Sequence, residues 1–521
     1  MKHYKITTAL ALLAFLSGCQ VSPQFISDSD NIDPDIVAEV NSQPETPEPT
    51  TPQQAPQVVE ITDVWQRLRL QLNIPVPEQA LVERYREWYL ANPKHLAQIS
   101  ERAGPFLYLI VDAIEKRGLP MELALLPIVE SAFDPFAYSP GAASGLWQFT
   151  SPMARHFGLK INWWYDGRRD VPAATTAALD MMQYLYQKTG ENWLYAIAAY
   201  NSGEGRILNA IKRNEAAGKP TDFWSLSLPS ETERYVPQLL ALADVIKHAD
   251  QYGIQLAAID NKPAVHVVDI GSQIDLAKAA SLAEIDITDL QQLNPGYNHW
   301  ATAPKGPHKL VLPVDKAEEF SAALAALPAE ERLNWVRYQI RRGDSLGLIA
   351  KKHRTTVDII RSINNIKGNN IVAGKHLLIP IAQQDATDYP LSAEQRVLAQ
   401  QNRNSSRYSS KYQVKSGDSL WKIARQFKIS TSELANWNGL SAKDTLKPGK
   451  TLVIWHQDDN RKGVVRTVKY KVRNGDSLAA IASKFKVSVS QLRKWNQLNE
   501  KKYLQPGQML TLYVDVTSSN S

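Results

Sequence analysis

Residues 126–135 of the chain read Leu-Pro-Ile-Val-Glu-Ser-Ala-Phe-Asp-Pro, and they place one carboxylate, Glu130, at the end of an apolar helical run. Burial raises the pKa of a carboxylic acid because it disfavours the charged form. A glutamate that stays protonated near neutral pH can act as a general acid. The competing interpretation is a helix-terminal glutamate that points into solvent or pairs with an arginine.

Helical periodicity extends outward from this stretch over residues 62–255. Four segments carry it, at 64–72, 80–90, 106–116 and 172–188. Glycine and proline pairs interrupt the pattern between segments, as helix ends require. The region is therefore predicted to be a compact, mainly α-helical domain, and its chemistry must be argued from its residues.

Further motifs follow Glu130 in order: Ser139, then residues 145–149 (Gly-Leu-Trp-Gln-Phe), residues 199–203 (Ala-Tyr-Asn-Ser-Gly) and Tyr235. Together they resemble the soluble lytic transglycosylase catalytic domain, which is similar in fold to goose-type lysozyme, over a motif core at 105–250. The resemblance implies that Glu130 protonates the glycosidic oxygen between N-acetylmuramic acid and N-acetylglucosamine. As a carboxylate it would then take the proton of the muramoyl 6-hydroxyl, which leaves a 1,6-anhydromuramoyl end.

The same resemblance assigns substrate binding to five residues. They are Ser139, Gln148, Tyr200, Asn201 and Tyr235. Hydroxyls and amides offer neutral hydrogen bonds to sugars, and tyrosine rings offer flat apolar faces. Structural roles compete with this assignment, since Gly203 is a typical helix cap and Tyr235 is an ordinary aromatic near a helix start.

Two residues depart from the common family pattern. Trp147 stands where many relatives carry Met, and Ser202 stands where many carry Ala. The indole of Trp147 either reshapes a sugar subsite or packs in the core. The motifs therefore do not determine at which bond along the glycan cleavage occurs. The reaction class that they imply is unaffected.

A second catalytic carboxylate is the feature that most glycosidases need. The motif region offers Asp134, Asp166, Asp170 and Asp180, and spacing singles out none of them. Asp134 precedes a proline and is predicted to be a cap or turn residue. Two alternatives remain: a muramidase that hydrolyses the same bond with such a second group, and a non-catalytic peptidoglycan-binding scaffold.

The N-terminus has the pattern of a secretory signal peptide at 1–18, with two lysines before an apolar run that is too short to span a membrane. Residues 16–19 (Leu-Ser-Gly-Cys) resemble the lipobox of bacterial lipoproteins, which implies lipidation of Cys19. Cys19 is the only cysteine of the chain, so no internal disulfide can form. Gln20 in place of Asp indicates the outer membrane rather than the inner one, with the protein facing the periplasm.

Residues 19–61 are predicted to be a disordered tether. Residues 20–60 contain seven prolines, eight acidic residues and no Lys or Arg, a composition that buries too little apolar surface to fold.

The C-terminal part of the chain contains an internal repeat. Gly-Asp-Ser-Leu begins at Gly343, Gly417 and Gly475, and each copy follows a short strand, at 338–340, 412–414 and 470–472. Each copy continues with Ile-Ala, an Asn and a closing strand. The pattern predicts three βααβ units, at 336–380, 411–455 and 468–513, with linkers at 381–410 and 456–467.

These units resemble LysM domains, which bind polymers that contain N-acetylglucosamine. The resemblance implies glycan contacts from the paired acids and serines that open each first helix. They are Asp344, Ser345, Asp418, Ser419, Asp476 and Ser477. Capping of that helix is the parallel structural role. The fold class expected for the chain is thus multidomain: a mainly α, lysozyme-like (goose-type) catalytic domain followed by small α+β LysM modules.

Residues 262–315 carry a blurred version of the same repeat, with Asn294 and a closing apolar strand but without the Asp-Ser pair. We predict a degenerate LysM-like spacer there.

Charge and composition indicate which classes of binding partner the chain can have. Residues 411–513 hold 20 Lys or Arg against 7 Asp or Glu, a balance of 20 − 7 = +13, whereas the whole chain carries +6. A basic surface suits the carboxylates of peptidoglycan peptides. We expect no nucleic-acid partner, because the chain is exported, and no metal or cofactor, because the ten histidines show no ligand spacing. The oligomeric state is left open.

Overall fold

The computed structural model describes residues 60–402, 409–455, 465–485, 487–496, 498 and 504–515. The predicted signal peptide, Cys19 and the tether up to residue 59 lie outside these described residues. Within them, none of the helices combines the length and apolarity that crossing a membrane requires.

Residues 64–247, all of which the structure describes, form ten α-helices. They are α1 (Val64–Arg69), α2 (Ala80–Ala91), α3 (Pro93–Ala103), α4 (Leu107–Glu115), α5 (Leu126–Ser131), α6 (Ser151–His156), α7 (Val171–Lys188), α8 (Trp193–Ser202), α9 (Glu204–Ala216) and α10 (Ser230–Lys247). The four segments with helical periodicity are all helical, and the mainly α class predicted for this region is confirmed.

Helix α10 is the central helix of this domain. Its residues from Tyr235 to Ile246 are buried almost without interruption, and a helix that is apolar all round belongs in a core. It packs against α2, α8 and the short α5. This arrangement brings Tyr235, in the second turn of α10, to the end of α5.

Four small βααβ modules follow the helical domain. The first contains β1 (Val265–Asp269), α11 (Leu276–Leu282), α12 (Ile287–Leu293) and β2 (Lys309–Pro313), with α13 (Ala317–Ala326) appended. The next comprises β3 (Asn334–Gln339), α14 (Leu346–Lys352), α15 (Val357–Ile363) and β4 (His376–Ile381), followed by the connecting helix α16 (Ala393–Asn402). Each module holds one antiparallel strand pair.

The remaining two modules have the same order. One contains β5 (Ser409–Gln413), α17 (Leu420–Gln426), α18 (Thr431–Trp437) and β6 (Thr451–Trp455). The other contains β7 (Val465–Lys471), α19 (Leu478–Lys484), α20 (Val489–Asn496) and β8 (Met509–Asp515). The predicted α+β class is confirmed for these modules.

The first strand of each repeat starts earlier than the sequence pattern predicts. The predicted strands begin at 338, 412 and 470, whereas β3, β5 and β7 begin at 334, 409 and 465. The upstream residues pair with the far end of the closing strand, as Trp335 does with Pro380. Strand pairing therefore extends upstream of the alternating residues at 338–340, 412–414 and 470–472.

One asparagine at the C-terminal end of the second helix closes every module. In the second repeat, buried Asn438 donates to the carbonyls of Leu434 and Val453, both at 2.8 Å, and accepts from the Val453 N–H at 2.7 Å. Asn294, Asn364 and Asn496 repeat this pattern. The side chain thus ties the second helix to the closing strand.

The module at 265–313 shares its core with the helical domain. Trp164 and Tyr165 belong to the same buried cluster as Leu276 and Leu310. Backbone bonds also join the two parts, since the Asp166 N–H donates to the Gly296 carbonyl at 2.8 Å. The spacer predicted at 262–315 is therefore a folded module packed on the helical domain.

We predict that Asn438→Ala destabilises the second repeat by about 3 kcal/mol, because it leaves buried backbone groups of Val453 without partners at about 1–3 kcal/mol each. Native-state amide exchange at Val453 in the whole chain measures this local loss. Asn436→Ala, at an exposed position of the same helix, is the matched control. Equal protection in both variants would contradict the role of the asparagine.

Candidate functional site

Helix α5 carries Glu130 at its C-terminal end. Its first residues, Leu126 to Ile128, are buried, and the preceding 3-10 turn at Met121–Leu125 is also buried. Pro127 stands in the first turn, where its missing N–H costs no helical bond. Apolar packing thus delivers the carboxyl to the edge of the core, as the sequence pattern predicts.

The end of α5 has an unusual backbone. Ala132 and Phe133 adopt positive φ angles of 50° and 58°, a conformation that costs non-glycine residues energy. Their N–H groups donate to the Ile128 and Pro127 carbonyls, and the Phe133 ring is fully buried. The buried ring and these bonds hold the chain in a sharp reversal directly after Glu130.

The carboxyl of Glu130 is partly buried and receives a hydrogen bond from Tyr235. The phenol donates to Glu130 Oε1 at 2.5 Å. Burial raises the pKa of Glu130 to about 7, the Tyr235 hydrogen bond lowers it, and the nearby negative charge of Glu231 raises it. A glutamate with this pKa exchanges its proton readily near neutral pH.

Tyr200 lies close enough to Glu130 for the charge of that carboxyl to act on it. Its hydroxyl donates to the Trp147 carbonyl at 2.7 Å. Burial raises its pKa well above the ordinary value, and the negative charge of Glu130 adds to that effect. Tyr200 is therefore a neutral donor that stays protonated beside the glutamate.

Ser131 connects α5 to the loop at 145–149. Its hydroxyl contacts the Pro127 carbonyl at 2.9 Å and the Leu146 carbonyl at 3.0 Å. Gly145 has a φ of 82°, and a Cβ there would lie 1.9 Å from the Arg168 carbonyl oxygen. The loop can approach the following segment only because this residue is glycine.

Gln148 and Ser139 lie on this loop system and brace it. Gln148 has a positive φ of 48°, and its Nε2 donates to the Gly145 carbonyl at 2.8 Å. The Ser139 hydroxyl accepts from the Ala143 N–H at 3.0 Å. The structure connects both residues to α5 through Ser131 rather than by direct contact with Glu130.

Asn201 joins the end of α8 to the start of α10. Its Oδ1 accepts from the Thr232 hydroxyl at 2.8 Å, and its amide nitrogen has no partner among the described residues. Gly203 ends α8 with a φ of 89° and donates to the Ala199 carbonyl. The helix end thus presents Asn201 toward α10, while the Tyr200 hydroxyl reaches the carbonyl of Trp147.

Trp147 is a core residue. It is fully buried, and its Nε1 donates to the Thr175 hydroxyl at 3.0 Å. Of the two roles left open by the sequence, core packing is the one that the structure supports. Trp147 reaches the site only through its carbonyl, which accepts from Tyr200.

Each aspartate considered as a second carboxylate has a structural partner. Asp134 accepts from the Phe136 N–H at 2.9 Å, as the predicted turn requires. Asp166 pairs with Arg168 and Asp180 pairs with Arg117. Asp170 caps α7, accepting from the Ala173 N–H and from the Tyr165 hydroxyl.

Glu231 is the carboxylate that sequence reasoning missed. It is exposed, in the first turn of α10, and its charge acts on Glu130. Glu231 and Tyr235 are four residues apart and therefore lie on one face of α10. This spacing is the sequence feature from which Glu231 could have been predicted. Thr232, which orients Asn201, was missed because a threonine near a helix start carries no special pattern.

The Asp-Ser pairs of the three repeats have the same geometry in every copy. Ser345, Ser419 and Ser477 cap the first helices by accepting from the backbone N–H three residues on. Asp344, Asp418 and Asp476 accept through Oδ2 from a backbone N–H at 2.7 Å and from a tyrosine hydroxyl. These bonds lower the pKa of each aspartate, and they fix the loop that opens each helix.

Metal-binding groups do not converge in the described part of the chain. Nowhere among the described residues do three His, Cys, Asp or Glu side chains form a cluster that could hold an ion.

We predict that Glu130→Gln stabilises the helical domain above neutral pH. The folded parent binds more protons than the unfolded chain between pH 4.5 and about 7, so its stability falls as pH rises through that window. The difference from the Gln variant should grow from near zero to about 3 kcal/mol. Thermal unfolding followed at several pH values measures it.

The exposed Glu215→Gln in α9 is the matched control and should show no such divergence. Parallel pH curves for Glu130→Gln and the parent would mean that the Glu130 carboxyl is hydrated.

Family models match most of the described modules. Residues 108–223 match the transglycosylase SLT domain. Residues 264–329 match the family described as lytic transglycosylase MltD, LysM-like domain. The LysM domain matches residues 338–380, 412–455 and 470–512.

Individual proteins extend this result. The chain is 36% identical over 454 residues to membrane-bound lytic murein transglycosylase D of Escherichia coli (strain K12), covering 87% of this chain and 86% of that protein. It is 31% identical over 173 residues to an autolysin of Enterococcus faecalis, covering 31% of this chain and 22% of that protein.

Among solved structures, the 70 kDa soluble lytic transglycosylase of Escherichia coli matches at 21% identity with a TM-score of 0.24, covering 34% of this chain and 32% of that one. The assignment therefore rests on the sequence matches, which confirm the resemblance inferred from the motifs. The chain belongs to the family of membrane-bound lytic murein transglycosylase D.

Proposed function

We propose that the chain is a peptidoglycan lytic transglycosylase. It cleaves the β-1,4 bond between N-acetylmuramic acid and N-acetylglucosamine and leaves 1,6-anhydromuramoyl ends. The observation that carries this proposal is the Glu130 carboxyl, which sits at an apolar helix end with a pKa of about 7 and is held by the Tyr235 hydroxyl. Family membership supports the reaction class.

The reaction needs two proton transfers through one carboxyl group. Protonated Glu130 gives its proton to the glycosidic oxygen as the bond from that oxygen to the muramoyl C1 breaks. The carboxylate so formed takes the proton of the muramoyl 6-hydroxyl while that oxygen bonds to C1. Atoms balance without water, and Glu130 ends protonated as it began.

Two tyrosine hydroxyls lie near that carboxyl in the proposed site. Tyr235 orients Oε1 and stabilises the carboxylate form, and Tyr200 stays protonated beside it. Ser139, Gln148 and Asn201 belong to the loop and helix end that frame the same region, and we assign them to the acetamido and hydroxyl groups of the sugars. Such preorganised donors stabilise charge that develops in the transition state.

The muramidase alternative requires a second carboxylate or another group that activates water. Asp134, Asp166, Asp170 and Asp180 are engaged as a turn residue, in ion pairs and in a helix cap. Glu231 remains as the candidate because its charge reaches Glu130.

Mass spectrometry of the soluble products from purified peptidoglycan separates these functions. Using residues 20–521, we expect anhydromuramoyl ends from the parent and a loss of activity in Glu130→Gln by at least about a hundredfold. Glu231→Gln is the matched variant and should keep the anhydromuramoyl product.

If the parent produced reducing ends and Glu231→Gln did not, the chain would be a muramidase that uses Glu231 as its second carboxylate. If the parent left the glycan intact, the chain would be a non-catalytic peptidoglycan-binding scaffold.

We further predict that Tyr235→Phe shifts the alkaline limb of the pH–rate profile to higher pH. In the parent, the hydrogen bond from Tyr235 lowers the pKa of Glu130. Its loss raises that pKa, so Glu130 of the variant stays protonated to higher pH. Its rate should fall about tenfold, because one hydrogen bond to a charged group contributes about 1.5 kcal/mol. Tyr252→Phe, which removes a hydroxyl bonded to Asp244, is the control. If the alkaline limb of Tyr235→Phe stayed at the pH of the parent, the Tyr235 hydroxyl would not control the pKa of Glu130.

The three repeats are proposed to hold the enzyme on peptidoglycan, as their LysM family matches support. Since Oδ2 of Asp344, Asp418 and Asp476 is engaged within the fold, glycan contact falls to Oδ1 and to the neighbouring backbone. Ser345, Ser419 and Ser477 are assigned mainly to capping, with sugar contact through the loops that they fix.

We also propose a lipoprotein anchored to the outer membrane through Cys19 and facing the periplasm, after removal of residues 1–18. The lipobox resemblance and the membrane-bound relative support a location in the cell envelope. The acidic, proline-rich segment up to residue 61 would act as the tether, and the domain boundaries given above belong to the same proposal.

A further inference from the structure

A polar cavity of about 790 Å³ lies where four parts of the chain meet. Its walls are the loop after α5 (134–138), the segment 163–169, the module at 265–313 with helix α16, and the second repeat. This volume is in the range of ligand sites. The catalytic proposal above uses none of its polar groups.

Arg396 of α16 faces this cavity without an ionic partner. Its guanidinium carbon lies 4.8 Å from the centre of the Phe136 ring, and its Nη1 donates to the Leu391 carbonyl at 2.6 Å. No carboxylate among the described residues forms an ion pair with it. A guanidinium placed in this way has donors left for a ligand.

Arg169 faces the same cavity. Its Nε donates to the Ser144 hydroxyl at 3.0 Å, and its Nη1 donates to Asn298 Oδ1 at 3.1 Å. The carboxylate of Asp166 is 4.0 Å away, and Arg168 already binds both oxygens of that carboxylate, at 2.9 and 2.8 Å. Arg169 is therefore only weakly neutralised.

The charges of the lining leave an excess of cations. The guanidinium groups of Arg168, Arg169 and Arg396 face the carboxylates of Asp134 and Asp166, while His299 stacks on Trp163 and bonds Glu394. Burial and then repulsion from Arg169 lower the pKa of Arg396 to about 9. An anion between the two arginines would offset the repulsion between them.

The rest of the lining suits a peptide rather than a simple ion. Gln400 and Asn436 offer amides that donate and accept, and the half-exposed Trp163 offers an aromatic face. Arginine binds carboxylates in a bidentate manner. A short peptide with free carboxylates matches this set of groups.

The cavity shares its wall with the catalytic loop. The Asp134 N–H donates to the Ser131 carbonyl at 3.1 Å, one residue after Glu130. The Ala137 carbonyl accepts from the Gly145 N–H and from Gln148. Ala137, which lines the cavity, is therefore bonded directly to the loop that carries Gln148.

The second repeat closes this site. Tyr138 donates to the carboxylate of Asp444, at 3.2 Å from each oxygen, and the Ser441 hydroxyl donates to the Pro140 carbonyl. These bonds place Asn436 of the repeat in the cavity wall.

We propose that this cavity binds the carboxylate-bearing peptide of a glycan strand, with Arg169 and Arg396 as its cationic contacts. The proposal rests on the proposed function, since the peptide is the side chain of the same polymer. It assigns a peptide-reading site to the junction between the catalytic domain and the second repeat.

Binding is tested with Glu130→Gln in residues 20–521, so that no turnover interferes. The probes are an N-acetylglucosaminyl–muramoyl disaccharide carrying an acidic tripeptide, the same disaccharide without peptide, and the peptide form with amidated carboxylates. Calorimetry should give about tenfold tighter binding for the acidic peptide form than for either other probe. Amide exchange should show protection at 134–138 and 393–400 with the acidic form alone.

Arg396→Met should remove this tenfold preference, and Arg396→Lys should restore part of it. Arg84→Met, an exposed arginine of α2, is the matched control and should keep the preference. Equal affinity for the three probes, or a preference that survives Arg396→Met, overturns the proposal. If Arg396→Met fails to fold, the amidated probe still decides, and failure of the proposed function would appear separately in the product analysis.

Discussion

The site depends on the free energy of holding one carboxyl group at the edge of an apolar core. Burial alone would keep Glu130 protonated, which suits an acid but not a base. The hydroxyl of Tyr235 opposes that effect, because its hydrogen bond favours the carboxylate. The balance brings the pKa to about 7, where one group can both give and take a proton. Helix α10 supplies the tyrosine, so the packing of α10 against α5 governs the chemistry.

The loop at 134–149 connects that carboxyl to the rest of the molecule. Ser131 fastens the loop to α5, and Gly145 allows it to touch the carbonyl of Arg168. On its outer side Tyr138 meets Asp444 of the second repeat. Packed and hydrogen-bonded elements of this kind transmit small displacements. The second repeat is thereby bonded directly to the loop that carries Gln148.

Much of this architecture could be predicted from the sequence, because its signals are local. Helical periodicity gave the α domain, and the recurring Gly-Asp-Ser-Leu gave the modules. Glu130 stood out because a lone acid ended an apolar run. Three features depend on tertiary packing and could not be predicted from the sequence. Trp147 is buried against Thr175, and Glu231 acts on Glu130 from another helix. Arg396 reaches a cavity whose walls come from segments far apart in the chain. Such features arise only when elements far apart in the chain pack together.

The asparagine that closes each module has a consequence for how such chains change over generations. Asn294, Asn364, Asn438 and Asn496 each complete the backbone bonding of their own unit, so the closing bonds of one copy are made by that copy alone. A duplicated copy therefore carries its own closing bonds, while its exposed positions can differ from those of the other copies. Trp421, exposed in one copy where the others carry Gly347 and Ala479, shows such divergence. The exposed surface of the repeats can therefore change one copy at a time.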